Sequence, residues 1–250
     1  MLAFLSDLRI GWNRWVKAQQ YEQAFWQRLS DDITAGTTTH LDWYGWRAKQ
    51  LERFMTAAGA TTRDGAALEI GSGPVGIVNF LEWGTRFALD PLEHFYRTQP
   101  ALVGLRNPAV TYVDGTGERL PFDNESCTLV IIDNVIDHTY APGKILDEIH
   151  RILRPDGHLY LSVNVHNRCG FLLHSALAVL HIDQGHPYTF TSRRLRSFLN
   201  AHHFTVLAER IEDSVESNRA NRRASSLKAR VKGYTGLSEF AHAVICRKTA

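Results

Sequence analysis

The chain of 250 residues is long enough to bury a substantial core without disulfide or metal staples, and 44% hydrophobic with 22% charged residues excludes a largely disordered polypeptide. A formal net charge of +2 gives no bulk preference for nucleic acid or membrane. The three cysteines, Cys127, Cys169 and Cys246, are odd in number and far apart, which argues against a disulfide framework and for a reducing, cytoplasmic setting.

Residues 1–60 read as helices. The opening "MLAFLSDLRIGW" has Asp7 and Arg9 breaking its apolar run, so it lacks the long apolar segment of a signal peptide. Helical patterning runs through "LAFLSDLRIGWNRWVKAQQYEQAFWQRL" and then "LDWYGWRAKQLERFMTAAG", where Gly59 is the predicted stop. Five of the six tryptophans, at positions 12, 15, 26, 43 and 46, fall here. Spacings such as Trp12 to Trp15 and Tyr21 to Phe25 make core packing their first explanation, with a substrate-covering lid as the alternative.

From Ala66 short apolar runs alternate with helical segments, the signature of β-α-β units and a parallel sheet. Strands are predicted at Ala67 to Ile70, Arg86 to Asp90, Val110 to Asp114, Cys127 to Asp133 and His158 to Asn164, with helices between them. The clearest helix is "APGKILDEIHRILRPDG", with Pro142 near its start, Ile145, Ile149, Ile152 and Leu153 on one face, and Pro155 and Gly157 as its stop. After Asn164 the alternation pauses for about twenty residues, longer than an ordinary connection and so read as a functional insertion over residues 165–188. Its apolar part, Gly170 to Ile182, is shorter than the roughly 20 residues of a spanning helix, and no transmembrane segment is predicted.

A helix "TSRRLRSFLNAHH" and a strand "FTVLAERIE" follow, then a basic loop over residues 213–236 and a last strand "FAHAVICRK". Two strands joined without an obvious crossover helix suggest an antiparallel end to the sheet. The loop carries Arg219, Arg222, Arg223, Lys228, Arg230 and Lys232 against only Asp213 and Glu216. It reads first as a solvated, partly mobile loop, and alternatively as a rim that attracts an acidic substrate, nucleic acid or an anionic membrane. The expected division is a helical extension or lid over 1–60 and an α/β domain over 61–250, with the aromatic helices and the insertion after Asn164 expected to close over a substrate.

In "LEIGSGPVGIVNFLEWGTRFALD", Gly71, Gly73 and Gly76 fit G-x-G-x-x-G after a strand, and Asp90 follows Gly71 by nineteen residues. A strand, glycine turn and helix make an anion site, because the first-turn N–H groups point outward and the helix dipole favours negative charge. The anion is a pyrophosphate in a dinucleotide and a methionine carboxylate in S-adenosylmethionine, so the glycines alone do not choose. Glu69 favours the second, since an acid against the loop binds an ammonium and repels a pyrophosphate. Asp90 can accept hydrogen bonds from the ribose hydroxyls of either ligand.

Glu69-x-Gly71-x-Gly73, Asp90, "DGTGERLPF", "IIDNVIDH" and "LDEIHRILRPDGHLYLSV", taken in order from about Ala66 to Val165, resemble the class I S-adenosylmethionine-dependent methyltransferases of type 11-like kind. The resemblance implies a Rossmann-like α/β fold: a seven-stranded, mostly parallel sheet with an antiparallel last strand, between helical layers. It implies that Gly71, Ser72, Gly73 and Gly76 hold the methionine end, Asp90 the ribose, Pro91 and Leu92 the adenine face, and Gly117 and Glu118 its edge. Related sequences have Gly-Asp-Ala where this chain has Gly115-Thr116-Gly117, which leaves Asp114 as a substitute contact to the adenine amino group, and an Asp where it has Thr128. Asp133 or Asn134 is expected to face the cofactor.

Methyl transfer to oxygen requires alignment and proton removal. His138, just after the fourth strand, is the candidate base, and His166 in the insertion a further candidate, with Asn167, His186 and Tyr188 as possible lid residues. The fifth strand ends "SVNVHN", with no Asp-Asn pair to complete an oxygen shell, so no metal is expected. The fourth strand lacks the Asn/Asp-Pro-Pro-aromatic signature of nucleobase amino methyltransferases, which disfavours nucleic acid. The expected function is oxygen methylation of a small-molecule acceptor, a metabolite, sugar or natural product. The competing readings are an RNA or DNA methyltransferase that uses the basic loop, a silent cofactor-binding partner, and a nicotinamide oxidoreductase. A homo-oligomer is compatible with each of these readings.

Overall fold

Apolar, β-branched runs bounded by turns pair into one sheet in the computed structural model, which describes residues 12–38, 41–60, 63–179 and 188–249. Its strands are β1 (Ala66–Ile70), β2 (Thr85–Asp90), β3 (Val110–Asp114), β4 (Cys127–Asp133), β5 (Leu153–Val165), β6 (Phe204–Ile211) and β7 (Phe240–Lys248). They lie in the order β3-β2-β1-β4-β5-β7-β6. The pairs among β1 to β5 are parallel, whereas β7 runs antiparallel to both β5 and β6. The seven-stranded arrangement with a reversed last strand is the one expected. Because β1 has β2 on one side and β4 on the other, the chain reverses its winding there, and a crevice opens beyond the carboxyl ends of these strands.

One face of the sheet is covered by α5 (Pro142–Ile152) and α7 (Ser192–Ala201). Pro142 sits in the first turn of α5, where its missing N–H costs nothing, and Ile145, Ile149 and Ile152 are fully buried with Leu68, Val130, Leu161 and Val244. The other face is covered by α1 (Trp12–Thr34) and α2 (Asp42–Ala57), whose Trp26, Tyr44, Leu51 and Met55 share a cluster with Ala67, Leu129, Ile131 and Ile245. The N-terminal helices are thus one of the two layers of the sandwich.

That packing accounts for several departures from the sequence reading. Between β1 and β2 stands only a four-residue 3-10 helix, Ile77–Phe80, and between β2 and β3 the single turns α3 (Glu93–Tyr96) and α4 (Pro100–Val103). No helix joins β3 to β4 among the described residues. The space that crossover helices would fill is taken by α1 and α2. Strand β5 begins at Leu153, directly after α5, and the predicted stop around Pro155 and Gly157 is an excursion in the pairing, where Cys127 faces Leu153 and Leu129 faces His158. Of the aromatic residues assigned to core packing, Trp26 is buried, but Trp43, Trp46, Tyr21 and Phe25 are exposed. The side chain of Trp12 and residues 1–11 lie outside the described residues.

The insertion after β5 contains α6 (Arg168–Val179), and its residues 180–187, with His186, lie outside the described residues. The predicted basic loop is instead two helices, α8 (Ser214–Arg222) and α9 (Leu227–Thr235). Asp213 caps α8 by accepting from the Val215 N–H at 2.8 Å, Ser226 caps α9, and Gly236 ends it in the left-handed region. Local capping and the packing of the two helices on each other override the repulsion of their cations.

Leu51 is 1% exposed between α2 and the sheet. Leu51→Ala is expected to cost about 2–5 kcal/mol, read as a lower urea midpoint in a single transition. An unchanged midpoint would make α2 an appendage.

Candidate functional site

A cavity of about 440 Å³ lies at the carboxyl ends of β1, β2 and β4, roofed by α1 and α2. The glycine loop forms its floor. Tyr44 of α2 donates to the Ser72 carbonyl at 3.1 Å, and a Cβ on Gly73 would stand 2.5 Å from the Tyr44 hydroxyl and 3.2 Å from the Trp26 ring. With φ at +60°, Gly73 is required on both counts, by the backbone conformation and by the close approach of the roof.

Glu69 is 3% exposed and lines the cavity, yet its Oε2 accepts from the Val78 N–H at 2.9 Å. Gly76 makes room for this, since a Cβ there would lie 2.7 Å from that oxygen. The expectation that the helix after the loop offers its N-terminus to a ligand anion is therefore corrected. The 3-10 helix is a single turn with little dipole, and its free N–H is already taken by an internal carboxylate. Burial holds the Glu69 carboxyl well above its ordinary pKa, against the opposing effect of the Val78 N–H.

Asp90 closes β2. Its Oδ2 accepts from the Gly73 N–H and its Oδ1 from the Leu92 N–H, both at 2.9 Å, so it clamps the glycine loop to the turn after β2. Burial pushes its pKa up to about 7, although these two N–H groups favour the ionised form. Each oxygen keeps a further lone pair for a ligand.

The end of β4 supplies the opposite wall. Asp133 accepts from the Ser162 hydroxyl at one oxygen and from Arg47 of α2 at the other, in a bond that ties the roof to the sheet. Asn134 follows at φ +57°, a left-handed conformation that Asn tolerates better than most residues, and its N–H reaches the Ser162 carbonyl at 2.8 Å. His138 lines the cavity with its Nε2 3.7 Å from Oδ2 of buried Asp137.

The structure brings together Glu69, Gly71, Ser72, Gly73, Asp90, Pro91, Thr116, Gly117, Glu118, Asp133, Asn134 and His138 around one cavity. Other expected residues lie elsewhere. Gly76 packs on Glu69, Leu92 is buried behind the wall, and Gly115 sits against Leu89. Asp114 is half-exposed and faces His94 at 3.6 Å, away from the cavity. His166 is buried, with its backbone N–H on the Phe190 carbonyl, and Tyr188 donates to the Tyr140 carbonyl; neither lines the cavity. Glu118 borders it but spends one oxygen on the Tyr140 and Ala141 N–H groups just before α5. Thr128, a departure from related sequences, bonds the Ala66 carbonyl within the sheet. Among the described residues no cluster of His, Cys, Asp and Glu is placed to hold a metal ion.

Trp15 and Trp43, which the sequence offered as parts of a lid, line the cavity, whereas the polar residues of the roof, Gln19, Glu22, Tyr44 and Arg47, were not anticipated. The spacing of Tyr44 and Arg47, one helical turn apart, was the available signal, but nothing local aims that face at the end of β4.

Residues 68–161 match the methyltransferase domain family. A segment of 131 residues is 28% identical to an uncharacterised methyltransferase of Mycobacteroides abscessus, over 49% of this chain and 50% of that protein. A segment of 65 residues is 42% identical to the phthiotriol/phenolphthiotriol dimycocerosates methyltransferase of Mycobacterium leprae, over 25% of this chain and 24% of that protein. The chain thus spans about half the length, or less, of these curated relatives. The geranyl diphosphate C-methyltransferase of Streptomyces coelicolor A3(2), solved with Mg2+, geranyl diphosphate and S-adenosyl-L-homocysteine, superposes with a TM-score of 0.62 at 12% identity, over 81% of this chain and 79% of that one. A candidate methyltransferase of Bacillus halodurans C-125 superposes with a TM-score of 0.61 at 18% identity, over 81% of this chain and all of that one. Residues 68–161 thus carry a match to the methyltransferase domain, and the chain shares its fold with solved methyltransferases.

Proposed function

We propose that this chain binds S-adenosylmethionine in the roofed cavity and methylates a hydroxyl of a small-molecule acceptor. The observation that carries this reading is the charge of the lining: Glu22, Glu69, Asp90, Glu118 and Asp133 against Arg47 and His138. Acidic oxygens outnumber cations in this lining, and although burial raises Glu69 and Asp90, a bound cation favours their ionised forms, which suits a sulfonium and an ammonium better than a pyrophosphate. When bound, the donor supplies an electrophilic methyl on sulfur, so the protein needs only to hold it, align the acceptor and take a proton.

In this reading Asp90 accepts the ribose hydroxyls and Glu69 the ammonium, both residues lining the cavity. Since the helix terminus after the glycine loop is occupied by Glu69, the cation left for the methionine carboxylate is Arg47, a planar double donor steadied by Asp133. In this reading His138, which lines the cavity with its Nε2 3.7 Å from the Asp137 carboxylate, takes the acceptor hydroxyl proton as the oxygen attacks. An acceptor with an apolar body fits the aromatic roof of Trp15, Trp26, Trp43 and Tyr44, and the lipid-directed name of the Mycobacterium leprae relative is consistent with one. Calorimetry with S-adenosylmethionine and with NAD(H), then an acceptor screen with labelled donor, tests the reading. Saturable NAD(H) binding without donor binding overturns it, and donor binding without transfer to any acceptor leaves a silent cofactor-binding protein.

Because ribose hydroxyls donate to the ionised form of Asp90, donor affinity is expected to rise about tenfold between about pH 6 and about pH 8, through the pKa near 7. Glu69, also raised by burial, acts in the same direction. Asp90→Asn should weaken the donor by about 1–3 kcal/mol and flatten most of that rise; an undiminished rise assigns it to another group.

Arg47→Ala should weaken donor binding about tenfold or more, with partial recovery in Arg47→Lys. Unchanged affinity would reduce Arg47 to a strut for Asp133. His138→Ala should lower kcat about a hundredfold and leave donor affinity nearly unchanged, as measured with whichever acceptor the screen finds. Equal turnover would make His138 a wall of the pocket.

A further inference from the structure

The geometry points to a second surface: the α8–α9 hairpin docks the enzyme on an anionic lipid surface, with the cavity end of the sheet facing the same way. On α9, Leu227, Val231 and Tyr234 recur at i, i+4 and i+7 and are 68%, 54% and 71% exposed. Scattered exposed apolar residues need no explanation, but three on one helical stripe stand together, with only the Arg222 guanidinium, 5.6 Å from the Tyr234 ring, recorded against them. The opposite side of the same helix is the packed one, where Gly233 is buried against α8 and the Arg222 Nε donates to the Gly233 carbonyl at 2.9 Å. The hairpin therefore presents its stripe outward by construction.

The flanks of the stripe are basic. Arg230 borders it and is exposed, as are Arg219 and Arg223 on or beside α8, whereas Lys232 is paired with Glu239 at 2.7 Å. An apolar stripe bordered by arginines is the pattern of a helix lying in a membrane interface, with aliphatic side chains in the acyl boundary and cations on the headgroups. A nucleic acid would use the cations but has no place for aliphatic Leu227 and Val231. A purely apolar protein partner would leave the cations unmatched. An anionic bilayer surface uses both. No described helix is long and apolar enough to cross a membrane, so the attachment is peripheral.

Topology sets the direction. Ile211, the last residue of β6, pairs with His242, and Phe240, the first of β7, pairs with Val165 at the carboxyl end of β5. The hairpin between β6 and β7 hence projects from the sheet end that bears the cavity. Asn167 Nδ2, just before α6, donates to the Gly236 carbonyl at the end of α9 at 2.6 Å, and α6 adds exposed Leu172 and Leu173 to the same rim. This docking goes beyond the methyl-transfer reading and does not depend on it.

The test is co-sedimentation of the full chain with vesicles of phosphatidylcholine containing roughly one-third phosphatidylglycerol, against phosphatidylcholine alone. Binding to the anionic vesicles is expected to be about tenfold stronger and to weaken with salt. Leu227→Glu combined with Tyr234→Glu, and separately Arg219→Glu combined with Arg230→Glu, should each lower it about tenfold or more while melting temperature and donor affinity stay as in the parent. Absence of parent binding, equal binding by folded variants, or salt-sensitive retention of RNA without vesicle binding overturns the proposal. Because donor affinity is read separately by calorimetry, failure of docking and failure of the methyl-donor reading are distinct results.

Discussion

The carboxylate of Glu69 is the constraint around which the ligand end of the molecule is organised. A buried acid at the end of β1 must find a donor, because leaving it unpaired costs more than the turn that serves it. The donor is the Val78 N–H, and to bring it there the chain doubles back through Gly76 into a single 3-10 turn. In this chain no long helix leaves the loop. The face of the sheet it would have covered is open to α1 and α2, and these bring Tyr44 and Arg47 over the cavity. One satisfied hydrogen bond thereby links the glycine loop, the missing crossover helix and the aromatic roof.

A second anchoring point lies across the cavity. Asp133 takes Ser162 on one side and Arg47 on the other, so β4, β5 and α2 converge on one carboxylate. Asp90 does the same for the glycine loop and the turn after β2. Three acids thus serve as joints of the fold and as lining of the cavity. Their internal bonds pre-orient them, which lowers the ordering required when a ligand arrives.

The sheet was legible because each strand is a local event. Alternation and β-branching marked Ala67 to Ile70, Cys127 to Asp133 and the two C-terminal strands with little error. The floor of the cavity was legible for the same reason, since Gly71, Gly73, Asp90 and Asn134 sit at strand ends by sequence order. The aromatic helices could be read as a lid, but its polar contacts could not, because that of Arg47 with Asp133 spans 86 residues and depends on where a whole helix packs. Helices α8 and α9 are a different kind of miss. Asp213, Ser226 and Gly236 are ordinary cap and stop residues visible in the sequence, but the density of cations between them suggested a solvated loop. Glu69 was noticed as a charge for a ligand, and its internal partner was missed because Val78 reaches it only through the positive φ of Gly76.

The apolar cluster beneath the roof joins Trp26, Leu51 and Met55, from early in the chain, to Ile245 in the last strand. During synthesis the first helices therefore emerge well before the surface that completes their cover. Most of their cover comes from β1, β4 and the turn between β1 and β2, but it is completed only when β7 is inserted between β5 and β6, a contact of very large sequence separation and correspondingly slow to form. The step that completes the sheet is also the step that seals the N-terminal layer, so a ribosome-bound intermediate lacking β7 would expose aromatic surface and be a natural client for a chaperone.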